Sequence, residues 1–442
     1  MFWNRRTVLE NQKTLHSSLP PRLELSHHVY SGRTWESPLS TVDPQSRVLS
    51  GMRPTGRLHL GHYYGVLKNW LALQHEYDCF FFVADWHALT TRYENSQHLQ
   101  QHILDMVIDW LAIGVNPGAS TIFIQSRVPE HAELHLLLSM ITPLSWLERV
   151  PTYKDQQETL KRKDLYTYGF LGYPLLQSAD ILACRAGNVF VGIDQESHVE
   201  LAREIARRFN HLYGREPDFE QNAEMAIKKM GRKQGEIYRK LRKTYLEKGD
   251  EDALETAKAL LKEQNNITLG DQDRLFGYLE GTGKVILPEP QALPTSRFRM
   301  PGLDGQKMSE SYNNTIGLRE SADEVDTKIR RMPTDPARIR RNDPGDPEKC
   351  PVWQLHKLYS DQQRQDWVQS GCTSADIGCL DCKNPLVEAI QAELEPIRIE
   401  ALELENNQNV VQSIITEGCE KARDEAQDTL KEVRDAMGLQ YR

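Results

Sequence analysis

The chain has 442 residues, and at roughly 150 residues per domain that length suggests two or three domains rather than one. A hydrophobic fraction of 39% can build real cores, and 26% charged residues describe a soluble surface. Lys and Arg number 54 against 63 Asp and Glu, a formal charge of −9 that disfavours general nucleic-acid binding but permits a local basic patch, while the lack of any run of about 18 apolar residues excludes a membrane-spanning helix.

Residues 1–45 read as an irregular extension. No apolar run follows Arg5 and Arg6, as a secretory peptide requires, and Glu10, Glu24, Glu36 and Asp43 are unlike an organelle transit peptide. From 46 to 215 short apolar runs alternate with amphipathic stretches. RVLSG opens this region, CFFFVA (79–84) and TIFIQ (121–125) read as buried strands, and NVFVG (188–192) reads as a fourth. Leu99, Ile103, Met106 and Trp110 recur at helical spacing until Gly114 and Pro117 stop the helix. The alternation predicts an α/β fold with a doubly wound parallel sheet, on which ligands bind beyond the carboxyl ends of the strands.

Residues 216–283 are polar and helical. Between Lys228 and Lys243 eight basic residues meet the single acid Glu236, which reads as a solvated helix face, with a polyanion-binding surface as the alternative. The GTGK at 281–284 lacks the glycine spacing of a phosphate loop, and Val285 stands where a magnesium-binding hydroxyl belongs. LPEPQALP (287–294) reads as an extended linker, PGLDGQKMSES (301–311) as a Gly-rich loop, and the chain after about Ser321 as helical.

Two segments carry chemistry. In SGMRPTGRLHLGHYYGVLKNW a strand ends, a Gly- and Pro-containing loop follows, and His59-Leu60-Gly61-His62 opens a helix. A helix N-terminus offers free N–H groups to an anion, Gly61 permits close approach, and both imidazoles are placed to face phosphates. The second segment is Lys307-Met308-Ser309-Glu310-Ser311, where a lysine can neutralise a leaving pyrophosphate. Tyr173, Gln177 and Asp180 add a polar stripe at i, i+4 and i+7 on an otherwise apolar helix, and such a stripe must find partners.

The cysteines divide into two kinds. Cys79 and Cys184 lie in apolar runs and read as buried thiols, and Cys419 reads as a bystander. Cys350, Cys372, Cys379 and Cys382 are spaced C-x21-C-x6-C-x2-C, which suits four-sulfur ligation of Zn²⁺ or of a [4Fe–4S] cluster, with free thiols as the remaining alternative.

The paired HLGH and KMSES segments resemble the HIGH and KMSKS motifs of the class I aminoacyl-tRNA synthetases. The runs SGMRPTGRLHLGHYYG, VADWHALT, FIQSRVPEHAEL, GYPLLQSADIL and VGIDQESHVELAREIARRFN narrow the resemblance to the tryptophanyl-tRNA synthetases. The resemblance implies a cytoplasmic homodimer with a Rossmann-type catalytic domain (46–215 and 284–320), a helical insertion (216–283) and a helical anticodon-binding domain (321–442). It implies activation of L-tryptophan by ATP, with Mg²⁺, to tryptophanyl-adenylate, followed by transfer to tRNA(Trp). His59, His62 and Lys307 match the catalytic positions. Arg53, Pro54, Thr55, Gly61, His62, Gly192, Ile193, Asp194 and the loop Lys307, Met308, Ser309, Glu310 and Ser311 match the ATP site. Asp180 matches the acceptor of the indole N–H, Tyr173 and Gln195 the α-amino contacts, and Gln177 and His87 the rest of that pocket. The four-cysteine spacing resembles a bacterial subset with a [4Fe–4S] cluster. One position departs from the family: Glu310 replaces the second lysine of KMSKS. It either points outward, leaving the charge to Lys307 and Arg53, or slows activation. Tyrosine specificity, and a catalytically weakened paralogue that binds tRNA, are the competing readings.

Overall fold

The computed structural model describes residues 46–151, 167–215, 218–293 and 299–440, so the extension 1–45 lies outside it. Five strands form one sheet: β1 (Arg47–Met52), β2 (Asp78–Val83), β3 (Ser120–Ile124), β4 (Asn188–Phe190) and β5 (Gln291–Leu293), in the order β3-β2-β1-β4-β5. Every pairing is parallel, with Leu49 opposite Phe80 on one side and Val189 on the other. β2 and β3 are buried at nearly every position, which is why their sequences run apolar rather than alternate. β5 falls in the stretch read as a linker. An edge strand pairs on one side only, so the flanking prolines are tolerated there.

Between the strands run α1 (60–73), α2 (Asp85–Arg92), α3 (Leu99–Ala112), α4 (Glu130–Ser139), α5 (Leu144–Glu148), α6 (Tyr168–Ala183) and α7 (Glu196–Tyr213). α1 is not uniform: a short helix Leu60–His62 passes into a π-turn, Tyr63–Leu67, before Lys68–Leu73. Trp70 of α1 stacks on Phe81 of β2 at 4.1 Å and meets Trp110 of α3 edge-on at 4.9 Å, fixing this crossover to the sheet. Strand order reverses between β1 and β4, so their carboxyl ends part and open a crevice. Beneath it Ser50 Oγ donates to Phe190 O at 2.7 Å.

α8 (Phe219–Lys229), α9 (Arg232–Lys248), α10 (Glu251–Lys262) and α11 (Leu269–Leu279) surround a separate core that includes Ile227, Tyr238, Leu254, Leu261 and Leu275. The chain enters and leaves this cluster through a glycine cinch. Lys284 N donates to Gly214 O at 2.7 Å, and a Cβ on Gly277 would lie 1.4 Å from Gly283 O. α7 begins beside the crevice and its 18 residues span about 27 Å, so the cluster hangs from the opposite end of the sheet.

The remainder comprises α12 (Ala322–Arg331), α13 (Pro351–Tyr359), α14 (Gln362–Thr373), α15 (Cys379–Asn406) and α16 (Gln408–Met437). α16 returns to the sheet along β3. A Cβ on Gly418 would lie 1.9 Å from Ile122 O, and Cys419 Sγ accepts the Ile124 N–H at 3.4 Å. The helix therefore shields the outer edge of β3, and Cys419 belongs to that seam instead of standing aside. Cys79 and Cys184 are fully buried. Among the described residues no helix is long and apolar enough to cross a membrane.

Candidate active site

The crevice is a cleft of about 1120 Å³. Of the residues singled out from the sequence, Arg53, His62, His87, Tyr173, Gln177, Asp180, Gly192, Ile193, Asp194, Gln195 and Lys307 line it. Pro54, Thr55, His59, Gly61, Met308, Ser309 and Glu310 do not, and the side chain of Ser311 lies outside what the structure describes. The lining residues come from the ends of β1 and β4, the face of α6, the start of α2 and the loop after β5, which only the sheet brings together.

Asp180 lies at the closed end, fully buried. His87 Nε2 approaches one carboxylate oxygen at 2.8 Å and His131 Nδ1 the other at 2.7 Å, while Gln125 Nε2 spans both at 2.8 and 2.9 Å. Gln125 is oriented because its Oε1 accepts the Trp86 N–H at 3.1 Å. Burial opposes ionisation of Asp180, yet the bonds from His131 and His87 more than offset it and hold the carboxyl below its ordinary value. His131 is the counterpart: burial works against its charge, and Asp180 raises it well above an ordinary histidine. The pair is therefore a buried ion pair with both rings donating. A carboxylate offers about four acceptor sites, and these three donors make four contacts to it.

Neither Gln125 nor His131 was assigned a role from the sequence, although a polar residue ending the apolar strand TIFIQ is a signal for such a contact. His198 was also missed. Its Nδ1 donates to Gln177 Oε1 at 2.7 Å and its Nε2 meets Tyr173 OH at 3.2 Å, so it aligns two residues of the α6 stripe from behind. α6 itself starts where Thr167 accepts the Phe170 N–H. Across the cleft Asp194 folds back over Gly192, where a Cβ would lie 2.7 Å from Asp194 Oδ1.

At the open end the structure corrects the expectation for HLGH. The first-turn amides are not free: Leu60 N–H goes to Ile316 O at 3.0 Å, Gly61 N–H to His59 Nδ1 at 3.1 Å and His62 N–H to His59 O at 2.8 Å. His59 turns inward as the helix cap and is buried, so only His62 faces the cleft. Burial lowers His59 to about 4, and burial aided by His59 and Lys307 lowers His62 to about 3, which makes both neutral rings. Positive charge at this end comes from Arg53, Arg299 and Lys307. Arg53, exposed at the mouth of the cleft, is lowered by desolvation and by Arg92, against the pull of Tyr173 and Asp194.

The Lys307 loop is pinned rather than loose. Asn314, buried, accepts the Ser309 N–H at 2.8 Å and donates to Lys307 O at 3.1 Å and to Asp304 Oδ1 at 2.7 Å. Beyond it Leu318 N donates to Leu58 O at 3.0 Å, which ties this loop to the segment entering HLGH. Glu310 leans away from the cleft onto the RPTG loop, where a Cβ on Gly56 would lie 2.3 Å from Glu310 Oε1. Burial raises its carboxyl, with Arg92 and His102 pulling the other way.

The four clustered cysteines gather at one place in the helical region. Cys350 caps α13, Cys372 lies near the end of α14, and Cys379 and Cys382 open α15. Cys382 is raised to about 12 by burial and by the other three thiols, and Cys372 is raised by burial, opposed by Arg338, with Cys350 and Cys379 adding. Arg338 Nη1 lies 3.6 Å from Cys372 Sγ, and its Nε is buried without an acceptor among the described residues. No disulfide forms, and among the described residues no group of three or more His, Cys, Asp or Glu is set to hold a metal ion.

The family profile described as tRNA synthetases class I (W and Y) matches residues 42–244 and 262–395, breaking within the helical cluster. A tryptophan–tRNA ligase of Ralstonia nicotianae is 63% identical over 395 residues, covering 89% of this chain and 99% of that protein. One from Thermotoga maritima is 43% identical over 397 residues, covering 89% and 100%. The crystal structure of a tryptophanyl-tRNA synthetase from Campylobacter jejuni, complexed with ADP and tryptophan, superposes with a TM-score of 0.68 at 28% identity, covering 89% of this chain and 100% of that one.

Proposed function

The chain belongs to the class I tryptophanyl-tRNA synthetases and is a tryptophan–tRNA ligase, and on that premise we propose how its cleft divides the work. The observation that carries the proposal is the polarity of the cleft: a buried carboxylate at the closed end, and Arg53, Arg299 and Lys307 at the open end. Asp180 takes the indole N–H. A phenyl ring supplies no such donor and would leave the buried carboxylate short of a partner, which is the basis of selection. Tyr173 and Gln195 hold the α-amino group, with Gln177 and His87 completing the pocket. Gly192, Ile193 and Asp194 take the ribose and adenine, beneath the loop Arg53, Pro54 and Thr55.

In the first step a carboxylate oxygen of tryptophan attacks the α-phosphorus of ATP and the bond to pyrophosphate breaks. His62, neutral, donates a hydrogen bond to the phosphates, and Lys307 and Arg53 meet the growing negative charge. Mg²⁺ accompanies the triphosphate. His59, Gly61, Met308, Ser309 and Ser311 act by shaping the two loops, and Glu310, seated on Gly56, stands clear of the phosphates. In the second step a ribose hydroxyl at the tRNA(Trp) terminus attacks the acyl carbon and AMP leaves. The anticodon is read by the helices after 321, the enzyme works as a homodimer, and it resides in the cytoplasm.

Cys350, Cys372, Cys379 and Cys382 hold a [4Fe–4S] cluster. Four thiols within one another's electrostatic reach and the unpartnered N–H of Arg338 support this, since thiolate and sulfide accept such a bond. The cluster would brace the ends of α13 and α15.

Tryptophan-dependent ATP–pyrophosphate exchange on anaerobically purified chain tests the cleft. Strong exchange with tryptophan and none with tyrosine is expected, and tRNA binding without exchange would favour the weakened paralogue. Stoichiometric iron and sulfide, lost in Cys379→Ser with Cys382→Ser, is the expected analysis; zinc in their place would overturn the cluster.

A further inference from the structure

The π-turn of α1 faces two ways. His62, Gly65 and Val66 line the cleft. From the same turns Tyr64 and Lys68 meet a single carboxylate, that of Glu393 on α15. Tyr64 OH donates to it at 2.9 Å, Lys68 Nζ lies 3.0 Å away, and Tyr359 OH, from α13, donates at 2.8 Å. The tyrosine rings meet edge-on at 5.8 Å, and the Lys68 ammonium sits 3.7 Å above the Tyr64 ring. Three donors from two helices thus close on one side chain of a third, only 22% exposed.

The irregular turn depends on something outside itself. Lys68 N–H reaches back five residues to Tyr63 O, the mark of a π-turn, with poorer geometry than the α-helix on either side. Such turns persist where the surroundings over-determine them, and they concentrate at functional sites. Glu393 is the polar surrounding here, because it grips Tyr64 and Lys68 at once. α13, capped by Cys350, and α15, which begins at Cys379, carry Tyr359 and Glu393, so the grip is anchored in the helical region.

We infer that Glu393 is a positioning residue for amino-acid activation: by holding the π-turn against α13 and α15, it sets where His62, Gly65 and Val66 stand against the nucleotide. It touches no substrate and does not line the cleft. The inference rests on the open end of the cleft being the ATP site. Glu393 fixes the wall on the nucleotide side, whereas the tryptophan end is held by Asp180, Gln125 and His131, which it does not contact.

The test is steady-state ATP–pyrophosphate exchange on the full chain, comparing wild type, Glu393→Gln, Glu393→Ala and Tyr359→Phe, with thermal melts alongside. Glu393→Ala is expected to raise the KM for ATP about tenfold while leaving that for tryptophan within about twofold. Glu393→Gln, which keeps the tyrosine contacts but loses the attraction to Lys68, should fall between. A folded Glu393→Ala with an unchanged KM for ATP, or with both KM values raised together, overturns the inference. If Glu393→Ala does not fold, an unchanged KM for ATP in both Glu393→Gln and Tyr359→Phe overturns it equally. A wild type without tryptophan-dependent exchange would instead overturn the reading of the cleft, and this inference with it.

Discussion

The cleft and the helical cluster α8–α11 spend polar residues in opposite ways. In the cleft, Asp180 is buried among Gln125, His131 and His87, which come from three other parts of the chain. In the cluster, charge closes on itself at the surface: Lys229 pairs with Asp271, Arg239 with Glu224, Arg232 with Glu236, Lys243 with Glu247, and Arg242 donates to Tyr278 O. Of the eight cations read from the sequence, Lys228, Lys233, Lys240 and Arg242 have no acidic partner among the described residues. Exposed pairs of this kind are worth about 0–1 kcal/mol, so the paired cations read as a solvated face. A buried ion pair costs several kcal/mol of desolvation per ion, which only close, well-directed partners repay.

The largest test of that contrast is Asp180→Ala. It leaves the buried His131 charge uncompensated and removes the indole acceptor, so kcat/KM for tryptophan in pyrophosphate exchange should fall about 100-fold or more, with selectivity over phenylalanine and tyrosine lost. Unchanged selectivity would remove Asp180 from the indole role. Next, Lys307→Ala should slow adenylate formation in a single-turnover assay more than about tenfold. A rate near wild type would shift that work to Arg53 or Arg299.

Acid should weaken the fold through the cleft. His59, His62 and His198 are held at about 4, about 3 and about 4, chiefly by burial. Below their ordinary 6.5 the unfolded chain takes up protons that the folded chain refuses, so stability is lost as pH falls. His131 runs the other way: raised in the fold, it contributes fully below 6.5 and loses its contribution as pH rises through about 10. The His62 share is isolated by comparison: between pH 7 and pH 5 the Tm of His62→Asn should lose less, relative to its own value at pH 7, than that of the natural chain. An identical pH dependence in the two chains would contradict the burial of His62.

Smaller effects sharpen the comparison further. Glu310→Lys adds a cation beside the nucleotide loop without entering the cleft and should raise exchange by about two- to threefold, screened by solvent. A gain of a hundredfold would mark the natural chain as one whose activation is suppressed. Lys233→Glu with Lys240→Glu should leave both exchange and tRNA charging within about twofold and stability within about 0.5 kcal/mol. A clear loss of charging alone would restore the polyanion surface.

The sequence by itself determined the local matters. Apolar runs long enough for buried strands marked β1 to β4, because period and residue type are properties of neighbours along the chain. The i, i+4, i+7 spacing put Tyr173, Gln177 and Asp180 on one helix face for the same reason, and the ordered motifs carried the family. The tertiary structure decided what depends on distant partners. β5 is a strand only because β4 lies beside it. The amides of HLGH are taken because Ile316 returns to meet Leu60 and because His59 folds into the cap. Glu310 leaves the cleft for Gly56, and Gln125 and His131 become ligands of Asp180 across 55 and 49 residues of chain. No periodicity encodes these contacts; they follow from strand order, which places segments remote in sequence at one end of a sheet.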